Sequence, residues 1–391
     1  MERRPHILVI NSKTLLPNID GATIRSTQML QMLAETCDID LVYTCSKDTL
    51  PADESPLYNY CRKVKGFTTS TFGMITRGLL GLFSSKPLEC CYLYSQEAQL
   101  YIDAHLNEYD FVFCNNVRAA QYVVGKKCRK IIDYVDALSM RYQGEIKKAD
   151  WIRKIIYTIE YKRLEHYETR ILNEFDGHFI ISDVDKQHIL RNANSTQEIY
   201  VVNNSTELRQ CINQPDGQDL VFVGSMFYEP NIVATSAFVH NVLPQIVQAE
   251  PNAKFYIVGS KPAASVKRLA SEHVVVTGFV DDPKTYLKHA SVVVVPMISG
   301  AGVQNKILEA MSMGCCVVTT PIGAEGLDNI VDGKDIVICK DNDTMAQTII
   351  ELLYNKERRT ILGYNAHQYI KDNLTYQIIS AHFHEYLRHI V

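Results

Sequence analysis

The 391-residue sequence predicts an α/β protein with two doubly wound, parallel-sheet domains. Three observations carry that prediction. Its short apolar runs are continuous rather than alternating, as strands buried on both faces require. Helical stretches of roughly 10–20 residues separate most of these runs. The series also occurs twice, in 1–205 and in 218–340, on either side of the polar stretch TELRQCINQPDGQDL with its Pro-Asp-Gly turn signal.

The first series reads HILVI (6–10), IDLVY (39–43), FVFC (111–114), KIIDYV (130–135), GHFIIS (177–182) and IYVV (199–202). The second reads LVFVG (220–224), KFYIVG (254–259), HVVVTG (273–278), SVVVVP (291–296), CCVVTT (315–320) and DIVIC (335–339). Between them, 141–173 sets Ile152, Ile155, Ile156, Ile159, Leu164, Tyr167 and Ile171 at helical spacing, which predicts one or two amphipathic helices on the first domain. The expected organisation is a Rossmann-like domain over 1–205, a second over 206–373, and a C-terminal helix over 374–391 that packs back on the first. Two such domains on a short linker make a cleft that the carboxyl edges of both sheets can face. Open α/β sheets bind ligands at those edges, so this geometry suits an enzyme joining two substrates.

Composition narrows the function. The chain is 46% hydrophobic and 21% charged, which excludes a disordered or fibrous protein. Net charge is −4, and residues 1–215 hold 26 basic and 26 acidic side chains, so no half is basic enough to make nucleic acid the partner. MERRPHILVINS offers only five residues of apolar run, short of a secretory signal, and no window reaches about 18 apolar residues. Eleven cysteines without a CxxC pattern fit free thiols in a reducing cytoplasm, with Cys90-Cys91 and Cys315-Cys316 as core residues.

The most informative stretch is PMISGAGVQNKILEAMSMGCCVVTTPIGAEGL, residues 296–327. A strand ends at Pro296, a loop with Gly300 and Gly302 follows, and a helix starts near Val303–Asn305 and runs to Met313. Glycines let backbone N–H groups approach a ligand, and a helix N-terminus carries positive partial charge; together they form an anion site suited to a diphosphate. Glu309, farther along that helix, can accept two hydrogen bonds from a ribose diol.

This segment resembles the donor-nucleotide segment of retaining GT-B glycosyltransferases, and within them glycosyltransferase family 4. VFVGSMFYEPN (221–231), FYIVGSKP (255–262), VVVTGFVDD (274–282) and YLKHASVVVVP (286–296) follow in the order such proteins show. The GSM-x-Y-x-PN form is most similar to bacterial sugar transferases of exopolysaccharide and exosortase-type gene systems. The first domain adds PNIDGATIRS (17–26), DYVDALSMRY (133–142) and YETRILNEFDGHFIIS (167–182). The resemblance implies a GT-B fold and a nucleotide-diphosphate sugar donor held by Gly21, Gly224, Ser225, Lys261, Gly300, Gly302, Val303, Gln304, Asn305 and Glu309. Glu309 matches the second glutamate of the family's E-x7-E motif; the first falls on Ala301. The family's Arg…Lys pair after the Gly224 loop is replaced by Ser225-Met226-Phe227, so Lys306, Lys261 and Arg25 become the candidate cations for the leaving diphosphate. Asp136, after the strand 130–135, is the candidate acid facing the acceptor and donor sugar, with Asp133 inside the strand pattern as its alternative.

The mechanism implied is metal-independent and without a cofactor: the diphosphate leaves, the sugar gains oxocarbenium character and an acceptor hydroxyl attacks from the same face. VDD (280–282) and DND (341–343) read as turns, and HEYLRH is H-E-x3-H, which lacks the zinc spacing of H-E-x2-H. Residues 62–88 hold five basic and no acidic side chains among apolar ones, the pattern of a basic amphipathic helix at a membrane interface. The expected partners are a nucleotide sugar and a glycan or lipid-linked acceptor, at the inner face of the cell membrane. Two other readings remain open: a nucleotide-sugar epimerase of the same architecture, and a non-catalytic nucleotide-sugar or glycan-binding partner.

Overall fold

A computed structural model describes residues 3–16, 21–46, 53–147, 149–209, 213–215, 217–299 and 302–391. It divides into two compact units, Met1–Asn203 with Ser380–Val391, and Asn204–Ile379.

The first unit holds β1 (His6–Asn11), β2 (Asp38–Ser46), β3 (Lys63–Thr69), β4 (Phe111–Asn115), β5 (Lys130–Asp133), β6 (Gly177–Ile180) and β7 (Tyr200–Val201). All pair in parallel in the order β3-β2-β1-β4-β5-β6-β7. Ile7, Ile10, Phe113, Ile131, Ile132 and Phe179 are fully enclosed, which is why these strands read as unbroken apolar runs. β5 ends at Asp133, two residues before the apolar pattern does, because Val135 adopts φ +72°. That conformation is costly for a β-branched residue and cannot continue a strand.

β3 corrects the reading of 62–88 as one helix. KVKGFTT is an edge strand that buries Val64 and Phe67 and turns its lysines outward, a common defence of an open edge. The ammoniums of Lys65 and Lys63 stand 4.0 and 5.4 Å from the Tyr101 ring centroid. The helix is confined to Thr71–Gly81, where Ser70 caps it by accepting from the Gly73 N–H at 3.1 Å.

A second correction concerns the helix Trp151–Glu174. At 24 residues it is about 36 Å long. Its later turns bury Leu164, Ile171 and Leu172 in the first unit's core, but Ile152, Ile155, Ile156 and Ile159 lie exposed on the surface. In the tail helix Tyr376–Ile390, the residues from Ser380 onward pack into the first unit. Phe383 lies 5.0 Å from Phe179, Tyr386 stacks on Tyr200 at 4.5 Å, and His384 Nε2 meets the Met32 carbonyl at 2.9 Å. The tail histidine thus serves a docking contact.

The second unit holds β8 (Asp219–Val223), β9 (Lys254–Val258), β10 (Val274–Gly278), β11 (Val292–Val295), β12 (Val317–Thr319) and β13 (Val337–Ile338), parallel in the order β10-β9-β8-β11-β12-β13. Strand order reverses between β1 and β4 in the first unit and between β8 and β11 in the second. Such reversals open a crevice at the carboxyl ends of the strands. Among the described residues no helix is long and apolar enough to cross a membrane.

Inside the first unit, Arg25 on the helix Gly21–Thr36 makes a bidentate pair with Asp133 at the end of β5. Its Nε and Nη2 donate to the two carboxylate oxygens at 2.8 Å, and Nη1 donates to the Val202 carbonyl at 2.6 Å. Arg25 is 1% exposed and Asp133 0%. Asp133→Ala leaves a buried guanidinium without its counter-charge, so the unfolding free energy of this unit is expected to fall by about 3–5 kcal/mol in urea titrations; an unchanged midpoint would show that the pair contributes nothing.

Candidate functional site

In the second unit the crevice is built from the ends of β8 and β11. After Val223 the chain turns at Gly224-Ser225. A side-chain carbon on Gly259, at the end of β9 with φ +154°, would stand 1.8 Å from the Gly224 carbonyl oxygen, so the two backbones approach as only glycine allows. Asn231 holds the turn by donating from Nδ2 to the Ser225 carbonyl at 3.0 Å, while its buried Oδ1 has no partner. Lys261 follows Gly259-Ser260 with φ +51°, and its exposed ammonium lies 5.8 Å from the Phe227 ring centroid.

From β11 the chain passes the buried Met297 to Gly302, at φ +72°, and to the helix Asn305–Ser312. Gly300 and Ala301 lie outside the described residues. No side chain caps this helix; Gln304, at the capping position, instead accepts from Lys306 Nζ at 2.8 Å through Oε1. The Lys306 ammonium sits 4.0 Å from Met297 Sδ and 5.5 Å from the centroid of the Phe222 ring. Among the described residues no carboxylate pairs with it, and burial pushes its pKa down to about 8. Asn305 Oδ1 accepts from Asn204 Nδ2 at 2.9 Å. Glu309, one turn beyond Asn305, is half-buried, and its carboxylate makes no hydrogen bond among the described residues. Burial raises its pKa, opposed by Lys284 and Arg209 and reinforced by Asp282. Thr320 Oγ1, at the end of β12, donates to the Met297 carbonyl at 2.5 Å and caps the turn Pro321–Ala324 through the Gly323 N–H. The result is a recess with an uncapped helix N-terminus, a desolvated ammonium and a carboxylate one turn away.

In the first unit the turn after β5 carries Asp136. The N–H groups it could have capped are taken by other acids. Ala137 N–H donates to Asp185 Oδ1 at 2.9 Å, and Ser139 donates to Glu168 through N–H at 3.1 Å and Oγ at 2.5 Å. Burial raises the pKa of both acids, that of Glu168 to about 7. Asp136 itself is half-buried, hydrogen-bonded to nothing among the described residues, and within electrostatic reach of Arg118. It does not cap the helix Leu138–Ile146, whose N-cap is Ala137. Gly21, a donor-binding candidate, is the exposed first residue of its helix. Asp20 lies outside the described residues. Arg25 departs from the expectation of a cation free for a ligand, because its guanidinium is enclosed with Asp133.

Residues 217–355 match the family model described as "Glycosyl transferases group 1". The protein is a glycosyltransferase. Over 94% of its length it is 22% identical to a Klebsiella pneumoniae protein described as an uncharacterized 44.6 kDa protein in the cps region, covering 96% of that protein. Its fold is that of sucrose-phosphate synthase from Thermosynechococcus elongatus (TM-score 0.70, 16% identity, 99% of each chain) and of HepE from Anabaena, solved with UDP and glucose (TM-score 0.69, 14% identity, 98% of this chain and 100% of that one). The architecture is therefore GT-B, two parallel-sheet α/β units.

The glycosyltransferase thus gathers Gly224, Ser225, Gly302, Val303, Gln304, Asn305, Lys306 and Glu309 on the loops and helix that follow β8 and β11. Sequence reasoning missed Phe222, Asn231 and Thr320. Asn231 stood inside the quoted GSMFYEPN stretch, but its bond to the Ser225 carbonyl leaves no pattern in sequence. A lysine whose folded pKa lies below its unfolded value near 10.4 stabilises the fold above the latter and loses that stabilisation as pH falls through the former. Wild-type unfolding free energy is therefore expected to gain roughly 2 kcal/mol over Lys306→Met between pH 7 and pH 10. Parallel pH profiles for the two proteins would show that the ammonium is solvated.

Proposed function

We propose that this glycosyltransferase moves a sugar from a nucleotide-diphosphate sugar to a glycan or lipid-linked acceptor with retention of anomeric configuration and without a metal. The observation that carries the reading is the Lys306 ammonium, desolvated between Phe222 and Met297 with no carboxylate against it among the described residues, at a helix N-terminus that no side chain there caps. A cation so placed is under-compensated until an anion arrives, and the helix dipole adds to it. In this reading the backbone of Gly224, Ser225, Gly302, Val303 and Gln304 lies along the diphosphate, with Asn305 N–H at the helix start and Lys261 at the rim. Glu309 accepts from the ribose diol.

When the bond from the anomeric carbon to the diphosphate breaks, negative charge grows on the leaving oxygen. Preorganised N–H groups and Lys306 stabilise that charge more than the ground state, which is the main source of rate. The acceptor oxygen forms the new bond on the same face, and its proton passes to the departing diphosphate. Asp136, left unbonded by the capping of Glu168 and Asp185, orients the acceptor hydroxyl or a donor-sugar hydroxyl. HepE with UDP and glucose and the cps-region relative favour a uridine donor and a surface-polysaccharide product. The basic and apolar residues 71–86 then contact the inner face of the membrane, where a lipid-linked acceptor resides.

Calorimetry with a panel of nucleoside diphosphates tests the donor, and an NMR assignment of the product anomer tests retention; an inverted product or the absence of any nucleotide binding refutes the reading. Glu309→Ala is expected to weaken binding of the preferred nucleoside diphosphate by roughly 1.5–3 kcal/mol, the worth of a charge-assisted hydrogen bond, with the unfolding midpoint intact. Unchanged affinity would remove Glu309 from the ribose. Asp136→Asn keeps the volume and is expected to lower kcat at least about tenfold, ~1.4 kcal/mol in the barrier, with nucleotide affinity unchanged. Full activity in that variant would remove Asp136 from the reaction.

A further inference from the structure

Two helices of the first unit leave their apolar faces uncovered side by side. On Thr71–Gly81 and the residues after it, Phe72, Ile75, Leu79 and Phe83 recur at i, i+3, i+7 and i+11, and all are exposed, Phe83 at 93%. On Trp151–Glu174, Ile152, Ile155, Ile156 and Ile159 form a second exposed stripe that begins at Trp151, itself 74% exposed. The stripes are tied together. Arg163, one turn beyond Ile159, donates to the Gly81 and Leu82 carbonyls at 3.1 and 2.8 Å, and the Glu160 carboxylate accepts from the Leu88 and Glu89 N–H groups at 2.9 and 3.1 Å. These bonds set the turn carrying Glu160 and Arg163 against the segment Gly81–Glu89.

From this we infer that the two stripes form one docking face for an anionic lipid bilayer, with the first turns of Trp151–Glu174 as its second arm. The proposal rests on the reading of 71–86 as a membrane contact and extends it to a helix whose spacing alone predicted core. Contiguous exposed apolar surface of this kind marks a site for a protein or a membrane. Charge selects the membrane. Lys86, Lys147, Arg153 and Lys154 are exposed cations on these segments; the exposed acids near the helix start are Glu145 and Asp150, the latter paired with Arg153 at 3.5 Å, and Glu160 is turned inward onto backbone N–H groups. A rim of cations around an apolar centre is what acyl chains beneath anionic headgroups complement. A second copy of the chain would bring the same cations against themselves. Tryptophan adds a further sign. The chain has one, and it stands at the edge of the face beside Lys154, where amphipathic rings prefer the headgroup boundary. Lys154 can lay its methylenes on that surface and keep its charge among the headgroups.

The single tryptophan makes the test direct. The full chain is mixed with vesicles of phosphatidylcholine alone and of phosphatidylcholine with phosphatidylglycerol, and Trp151 emission and sedimentation are followed. With phosphatidylglycerol, emission is expected to shift to the blue and to be quenched by brominated acyl chains, and added salt should weaken both effects. Ile152→Ser/Ile155→Ser/Ile159→Ser, which alters only surface residues, should bind anionic vesicles at least tenfold more weakly while transferring sugar to a water-soluble acceptor as the wild type does. Wild-type binding retained by that triple variant but lost in Phe72→Ser/Phe83→Ser overturns the second arm and leaves the 71–86 contact standing. No binding by the wild type overturns both. A blue shift that depends on protein concentration without vesicles assigns the face to self-association and overturns the proposal.

Discussion

The ammonium of Lys306, desolvated with no carboxylate against it among the described residues, is the charge that organises the second unit's crevice. Its position follows from the sheet. β8 and β11 are neighbours whose connections depart to opposite sides, so their following loops splay apart and leave a recess. Phe222, on β8, and Met297, just past β11, form the apolar bed; the helix that begins at Asn305 brings the lysine over it. Gln304 gives the ammonium one neutral acceptor, which fixes its direction without cancelling its charge. The close approach of Gly224 and Gly259 keeps side chains off the other wall. An ionic partner there would neutralise the recess before any ligand came.

The first unit handles its buried charge in the opposite way. Arg25 has both carboxylate oxygens of Asp133 and a carbonyl, so its charge is compensated within the fold. A buried cation with a bidentate partner and no exposure fixes a helix onto a strand; a half-buried cation with only a neutral acceptor is available to an anion. The same contrast separates the acids of the turn after β5. Glu168 and Asp185 are committed to backbone N–H groups, and Asp136 between them is not. Val135 at φ +72° is the local cost of turning the chain there, since strain of this kind persists only where neighbouring bonds over-determine it.

Much of this was legible in sequence. Parallel strands enclosed on both faces leave continuous apolar runs, so twelve of the thirteen strands among the described residues announced themselves. β3 did not, because an edge strand needs only one covered face, and its outward lysines broke the run. The crevice residues after β8 and β11 were legible through glycines and a helix start close together in the chain. Pairings were not. Nothing in the local sequence of Arg25 or Asp133 marks two residues 108 positions apart as one bidentate pair. Nor does the sequence beside Asp136 show that acids from distant helices satisfy the N–H groups of the turn that follows it.

Helical periodicity carries a subtler ambiguity. It states that one face of a helix is apolar, and is silent on what covers that face. In Trp151–Glu174 a single stripe runs from Ile152 to Ile171, but the sheet is available only to its later turns. If burial against the sheet were the sole requirement on the early turns, polar residues would serve there equally well, since solvent is their neighbour. The proposed bilayer contact gives their isoleucines a second apolar environment. The cations beside them, and an outward tryptophan at the first turn, give that environment an anionic, interfacial character. In the proposed docking, one helix would meet two solvents, protein interior at its end and lipid at its beginning.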